Sequence, residues 1–145
     1  GIEPDATHRE RARREATRLG RQAQVLPGRA EDIALPTGSV DAVVGTLLLC
    51  SVDDVTASLA EIRRVLRPGG RYVFLEHVAA PRGSWTALVQ TVHARLTGSF
   101  GSGCRVNRDT GVAIDQAGFE AVDVQTYAEP GPLGSAIPHI VGVAH

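Results

Sequence analysis

With 145 residues, 43% apolar and 21% charged, the chain is long enough for one domain with a hydrophobic core and too short for two. No run approaches the roughly 18 apolar residues of a membrane span. A formal net charge of -1 offers no field that would recruit nucleic acid.

The chain opens on "GIEPD", which reads as the end of a strand, an acidic residue at its carboxyl end and a Pro-Asp turn into a helix. Asp5 is placed to cap the helix "ATHRERARREATRLG", with a thin stripe of Ala12, Ala16 and Leu19 and a stop at Gly20. From His8 to Arg21, six Arg stand against two Glu, a local charge of +4 that suits either a solvated outer face or a phosphate. "QAQVLPG" is a short strand candidate, and "RAEDIALPTGS" is a loop.

"VDAVVGTLLLCSV" is nearly continuous in apolar residues and rich in Val, as expected of a strand covered on both faces at the centre of a sheet. Next comes a helix capped by Asp53 or Asp54, with Val55, Leu59, Ile62 and Leu66 at helical spacing before Pro-Gly-Gly ends it. "RYVFLEHV" is the next strand. Trp85, Leu88, Val89, Val92 and Leu96 then share a helical face ahead of the Gly-rich break "TGSFGSG", and Asn107 is placed to cap the helix "RDTGVAIDQAG". "FEAVDVQTYAE" alternates with one slip of period, and "IPHIVGVAH" closes the chain. Strands alternating with helices argue for an α/β layer, and two final strands without an intervening helix argue for an antiparallel pair.

A carboxylate at the carboxyl end of a strand in an open α/β sheet sits where ligands bind, and its oxygens can accept from both hydroxyls of a ribose. Glu3 is that residue. Alone it equally suits an NAD(P)-binding Rossmann protein or a helix cap. The segments "GIEPD", "GRAEDIALPTGSVDAVV" and "LAEIRRVLRPGGRYVFLEHV" resemble, in order, the motifs of class I S-adenosylmethionine-dependent methyltransferases of the ubiquinone/menaquinone-biosynthesis group. The distal segments "TLLLCSV", "LEHVAAPRGSW", "GSGCRVNRDT", "AGFE" and "GPLGSAIPHIVGVA" are similar to a narrower branch that includes alkyl-thiol methyltransferases.

The resemblance implies an α/β, Rossmann-like methyltransferase sheet with an antiparallel last strand, in one partial domain over residues 1–145. It also implies S-adenosylmethionine as cofactor and a small, apolar acceptor. Glu3 would hold the ribose, the Arg29-Ala30-Glu31 corner would receive the adenine, with Asp32 beside it, and Thr46 would lie by the methionine moiety. Residues 84–107 would form a lid or substrate-region insertion, and the apolar helix within it could touch a membrane surface peripherally.

A thiol acceptor profits from deprotonation, and His77, just past the strand "RYVFLE", is the imidazole placed for it, with Glu76 a second candidate; a structural role suits either residue. Cys50, His77, His93, Cys104 and His139 show no paired ligand spacing, so no metal site is expected, and Cys50 reads as a buried small residue. The two cysteines make no disulfide framework and the start is charged and polar, which fits a reducing, cytoplasmic setting.

The family pattern begins with a strand and a Gly-rich turn beside the cofactor. Neither is in these residues, and the chain has no Met, so it reads as an N-terminally truncated fragment with impaired activity. In the family's strand order of three, two, one, four, five, seven, six, the absent strand would lie between "GIE" or "QAQVL" and "VDAVVGT". A non-catalytic module derived from the same fold is the remaining alternative.

Overall fold

The structure, a computed structural model, describes residues 1–97 and 104–145. Its centre is a four-stranded sheet of β1 (Val40–Thr46), β2 (Leu66–His77), β3 (Val122–Pro130) and β4 (Ala136–Ala144), in the order β1-β2-β4-β3. β1 and β2 run parallel, and β4 lies antiparallel between β2 and β3. This is the order and direction expected of the last four strands of a methyltransferase sheet. The expected final pair is present, joined by a short 3-10 turn over Pro132–Gly134.

β1 has a central strand's composition but the open side expected where the preceding family strand is absent from these residues. Among the described residues it pairs only with β2, so it is an edge, and Val44 is 72% exposed despite an apolar run suited to two covered faces. Beyond its open side, "QAQVLPG" forms no ladder. A single parallel bridge joins Ile2 to Leu26, with the Glu3 N–H on the Leu26 carbonyl at 3.1 Å.

α2 (Val55–Val65) packs one side of the sheet because Leu59, Ile62 and Val65 recur on one helical face, and all three are buried. Full burial of each such side chain contributes about 1.5–3 kcal/mol. Asp54 starts this helix by accepting the Ala57 N–H at 2.9 Å. The core continues through Tyr72 and Phe74 of β2, Ile140 and Ala144 of β4, and Ile114 of α4 (Thr110–Asp115). Asn107 does not cap α4. The helix starts at Thr110 with Asp109 in the cap position, because Arg108 turns back to donate to the Leu49 and Val52 carbonyls at 2.8 and 2.6 Å.

The period slip in "FEAVDVQTYAE" also has a cause: Phe119 lies outside the strand, stacked on Tyr72 at 6.2 Å with the Arg63 guanidinium over its face. α1 (Ala6–Arg18) buries no residue. Asp5 caps it through the His8 N–H at 2.9 Å; Arg14 pairs with Glu10, Arg18 with Glu15 and Arg9 with the Glu3 and Pro4 carbonyls, while Arg13 reaches across to the Val25 carbonyl. The pairs with Glu10 and Glu15 belong to a solvated outer face. α3 (Trp85–Thr97) leaves Trp85, Leu88 and Val92 about half exposed and is tied to the sheet side by the Trp85 indole N–H on the Leu133 carbonyl at 3.1 Å. No helix among the described residues is long and apolar enough to cross a membrane. The Gly-rich break lies outside the described residues from 98 to 103.

Candidate functional site

Parallel strands followed by crossovers bring their carboxyl-end loops to one edge of the sheet. A space of about 920 Å³ lies between the Gly1–Pro4 segment and the open side of β1, running from Val40, Ile62 and Val65 to that edge at Thr46–Leu48, along the side where the expected preceding strand of the family would pair. Glu3, Arg29, Ala30, Glu31 and Thr46 all line it, together with apolar walls from Val43, Leu47 and Leu48. Glu3, Arg29, Ala30, Glu31 and Thr46 thus share one cavity, while Asp32, next to them in sequence, does not line it.

Their hydrogen bonds distinguish their roles. Glu3 is partly exposed; one oxygen accepts the Asp5 N–H at 2.9 Å, and its carboxylate stands 3.8 Å from the His8 imidazole. Ala30 stands in the tight corner closed by the Asp32 N–H on the Arg29 carbonyl at 3.2 Å. Glu31 faces the protein as well as the cavity: it accepts the Asp53 and Asp54 N–H groups at 2.9 and 3.4 Å and pairs with Arg29 at 3.5 Å. Burial opposes its ionisation, but those donors outweigh it and hold its carboxyl below the ordinary value. Glu61 and Arg64 of α2 pin the loop behind this corner. Glu61 accepts the Ile33 N–H at 2.8 Å, and Arg64 donates to the Ile33 and Leu35 carbonyls at 2.7 and 2.9 Å.

Sequence reasoning missed the turn that follows Thr46. Leu47 has φ 50°, in the left-handed region that a branched side chain adopts only when its surroundings enforce it. The enforcing group is Glu76. Fully buried at the end of β2, its carboxylate accepts the N–H groups of Leu48, Leu49 and Cys50 at 2.9, 3.0 and 3.4 Å. Burial raises its pKa against the pull of those three amides. The carboxylate is committed to the turn, its oxygens taken up by these three backbone N–H groups. An acidic residue ending a strand, "FLEHV", was the only signal in the sequence.

His77 does not line the cavity. It is the last residue of β2, two places beyond Leu75, the register partner of Thr46. Its Nδ1 lies 3.4 Å from the Cys104 sulfur and its ring 4.5 Å from that of His139. Burial, then the neighbouring His139, lowers its pKa, so the imidazole is neutral near neutral pH and able to accept a proton. Cys104 in turn lies 3.2 Å from Cys50, whose thiol is pushed up to about 12, first by burial. Three of the five side chains without ligand spacing in sequence thus meet in space, because the ends of β1 and β2 and the segment returning from α3 converge there.

The Glu3 carboxylate and the Arg29–Glu31 corner border this space, with apolar walls from β1 and the turn after it. Residues 1–74 match the family model described as a methyltransferase domain. The chain is 42% identical over 121 residues to human thiol S-methyltransferase TMT1B, covering 83% of this chain and 49% of the relative. It is 31% identical over 99 residues to demethylmenaquinone methyltransferase of Thermus thermophilus, covering 63% and 45%. Among solved structures, a putative methyltransferase of Bacillus halodurans aligns with TM-score 0.77 and 14% identity over 99% of this chain and 80% of that one, a likeness of fold. The chain spans about half the length of the curated relatives it matches. On these grounds the chain belongs to the methyltransferase domain family, whose Rossmann-like fold is that of S-adenosylmethionine-dependent enzymes.

Proposed function

We propose that this protein transfers the methyl group of S-adenosylmethionine to the sulfur of a small, apolar thiol. The observation that carries the reading is the 42% identity to a thiol S-methyltransferase over 121 residues, 83% of the chain. S-adenosylmethionine, when bound, supplies a methyl carbon already activated by a sulfonium. The protein's own part is therefore to hold, orient and desolvate.

Glu3 would hold the ribose hydroxyls and the Ala30 corner the adenine, while Thr46 and the Leu47 turn would face the methionine end. The acceptor would enter from the side of α3 and Cys104. Its sulfur gives up a proton, to which the neutral His77 ring is the neighbouring base, and a sulfur lone pair forms the new carbon–sulfur bond as the sulfonium bond breaks. The half-exposed Trp85, Leu88 and Val92 supply apolar surface for the acceptor's approach.

The test is incubation of the purified protein with S-adenosylmethionine and a series of alkyl thiols, reading methyl thioether by mass spectrometry. Thioether and S-adenosylhomocysteine formed in equal amounts are expected. Methylation of a quinol carbon under the same conditions, with no thioether, would replace the thiol by the acceptor class of the menaquinone relatives.

A further inference from the structure

We infer that Cys50, Cys104 and His77 form a three-ligand site for a thiophilic divalent cation, for which Zn²⁺ is the best match, with a fourth position left for an outside ligand. The two sulfurs and the His77 Nδ1 all lie within 4.8 Å of one another, with 3.2 Å between the sulfurs and 3.4 Å from Cys104 to the ring nitrogen. Zinc bonds of about 2.3 Å to sulfur and about 2.0–2.1 Å to nitrogen give tetrahedral edges of about 3.8 Å between sulfurs and about 3.5 Å from sulfur to nitrogen. The sulfur pair would open by about 0.6 Å, the edge from Cys104 to the nitrogen hardly changes, and the edge from Cys50 to the nitrogen, which lies within 4.8 Å, closes toward about 3.5 Å by side-chain rotation.

The three ligands are also held from behind. Cys50 is fixed by its N–H on Glu76 and by its carbonyl, which accepts the Arg105 N–H at 2.7 Å. That second bond ties the residue next to Cys104 directly to Cys50. The backbone of His77 is fixed by the Thr110 hydroxyl on its carbonyl at 2.6 Å and by its pairing with His139 across the sheet. Preset ligands of this kind lower the ordering cost of binding a metal. Two thiolates and an imidazole select a borderline-soft cation over calcium or magnesium, which take oxygen.

Three protein ligands with an open fourth position is the pattern of sites that take a water or substrate. The cluster adjoins the cavity: Leu47, Leu48, Ser51 and Val52, on either side of Cys50, line it. Resting on the thiol reading given above, the open position is where an acceptor sulfur is held as its thiolate. The bound cation then stabilises the acceptor thiolate, the thiol proton leaves to solvent, and His77, committed to the cation through Nδ1, is no longer the base.

The test uses Co²⁺ as a spectroscopic stand-in, on the purified chain reduced with a phosphine, desalted without oxygen, and kept free of S-adenosylmethionine. The expected result is one Co²⁺ per chain, a sulfur-to-cobalt charge-transfer band in the near ultraviolet, visible bands of four-coordinate intensity, and displacement by one equivalent of Zn²⁺. Cys104→Ser should lose about half of the charge-transfer intensity. His77→Gln should keep that band but weaken affinity by more than about tenfold, since loss even of an outer-shell partner costs that much. Cys104 is half-buried and its serine variant leaves the core intact, so it carries the test if Cys50→Ser does not fold by circular dichroism. A spectrum of hydrated Co²⁺, or a charge-transfer band unchanged in Cys104→Ser, would overturn the site. Addition of an alkyl thiol should strengthen the band. An unchanged band would withdraw the substrate role while leaving the metal site, and because no methyl donor is present, neither result depends on whether the thiol reading of the reaction holds.

Discussion

The carboxylate of Glu76 accepts the backbone N–H of Leu49 at 3.0 Å across 27 residues of sequence, and both groups are buried. With the Leu48 and Cys50 amides on the same carboxylate, this contact sets the turn from which Thr46, Leu47 and Cys50 reach the site. Glu76→Ala would leave three amide donors without their acceptor, at a cost of about 3 kcal/mol or more, since hydrogen bonds to a charged group contribute about 1.5–3 kcal/mol. Glu76→Gln keeps one acceptor oxygen and should cost less. Urea unfolding of the two variants checks the order; equal midpoints for Ala and wild type would show that the turn does not depend on the carboxylate.

The α/β layering, the caps at Asp5 and Asp54 and the reversed last strand were legible because each rests on local signals: capping residues, helical spacing and the short Gly-Pro connection. That Glu3, Arg29, Ala30, Glu31 and Thr46 share one cavity followed from their order in the family motifs they resemble. The Cys50, His77 and Cys104 cluster was not, because its members lie on three segments far apart in sequence and no short spacing marks them. Nor was the role of Glu76, whose burial is decided by the strands around it. The edge position of β1 contradicts its own composition. Val43 and Val44 look like inner-strand residues, and only the pairing shows which side is open.

Gly142 of β4 sits where the sheet and Phe74 close on the backbone. A Cβ there would come within 2.2 Å of the Asp123 carbonyl oxygen and 2.7 Å of the Phe74 ring, and backbone of a paired strand cannot retreat as a flexible side-chain end would. Gly142→Ala should therefore destabilise by about 3 kcal/mol, the upper end of ordinary overpacking. Thermal unfolding measures it. A shift indistinguishable from zero would mean that β3 and β4 can slide apart locally.

The loop behind the adenine corner should loosen in acid. Glu61 has its pKa lowered from the ordinary 4.5 to about 2, first by the Arg64 guanidinium. The folded pKa is the depressed one, so the unfolded chain binds the proton first as pH falls. The stabilisation is complete above pH 4.5 and is lost as pH falls from there through about 2. Glu61→Gln should flatten the dependence of stability on pH in that window and leave its shape above it unchanged. Denaturant midpoints measured at intervals from pH 6 to 2.5 test this; parallel curves for variant and wild type would assign the acid sensitivity to other carboxylates.

Glu3 decides whether the cavity is used as proposed. Its carboxylate lines the cavity at the carboxyl end of the Ile2 bridge, and its local partner, the Asp5 N–H, is on an exposed turn that water can satisfy. Glu3→Ala should therefore cost little in folding, because no buried donor is left without a partner. It should cost a good deal in binding, because hydrogen bonds from two ribose hydroxyls to a charged acceptor are lost. The expected loss is about 2 kcal/mol, roughly a 30-fold rise in Kd for S-adenosylhomocysteine. Glu3→Gln retains one acceptor oxygen and should fall between. Isothermal titration with the three proteins, paired with unfolding curves, separates the two effects. An unchanged Kd in the alanine variant, with unfolding also unchanged, would remove Glu3 from the cofactor site and leave the Arg29–Glu31 corner to hold the nucleoside alone.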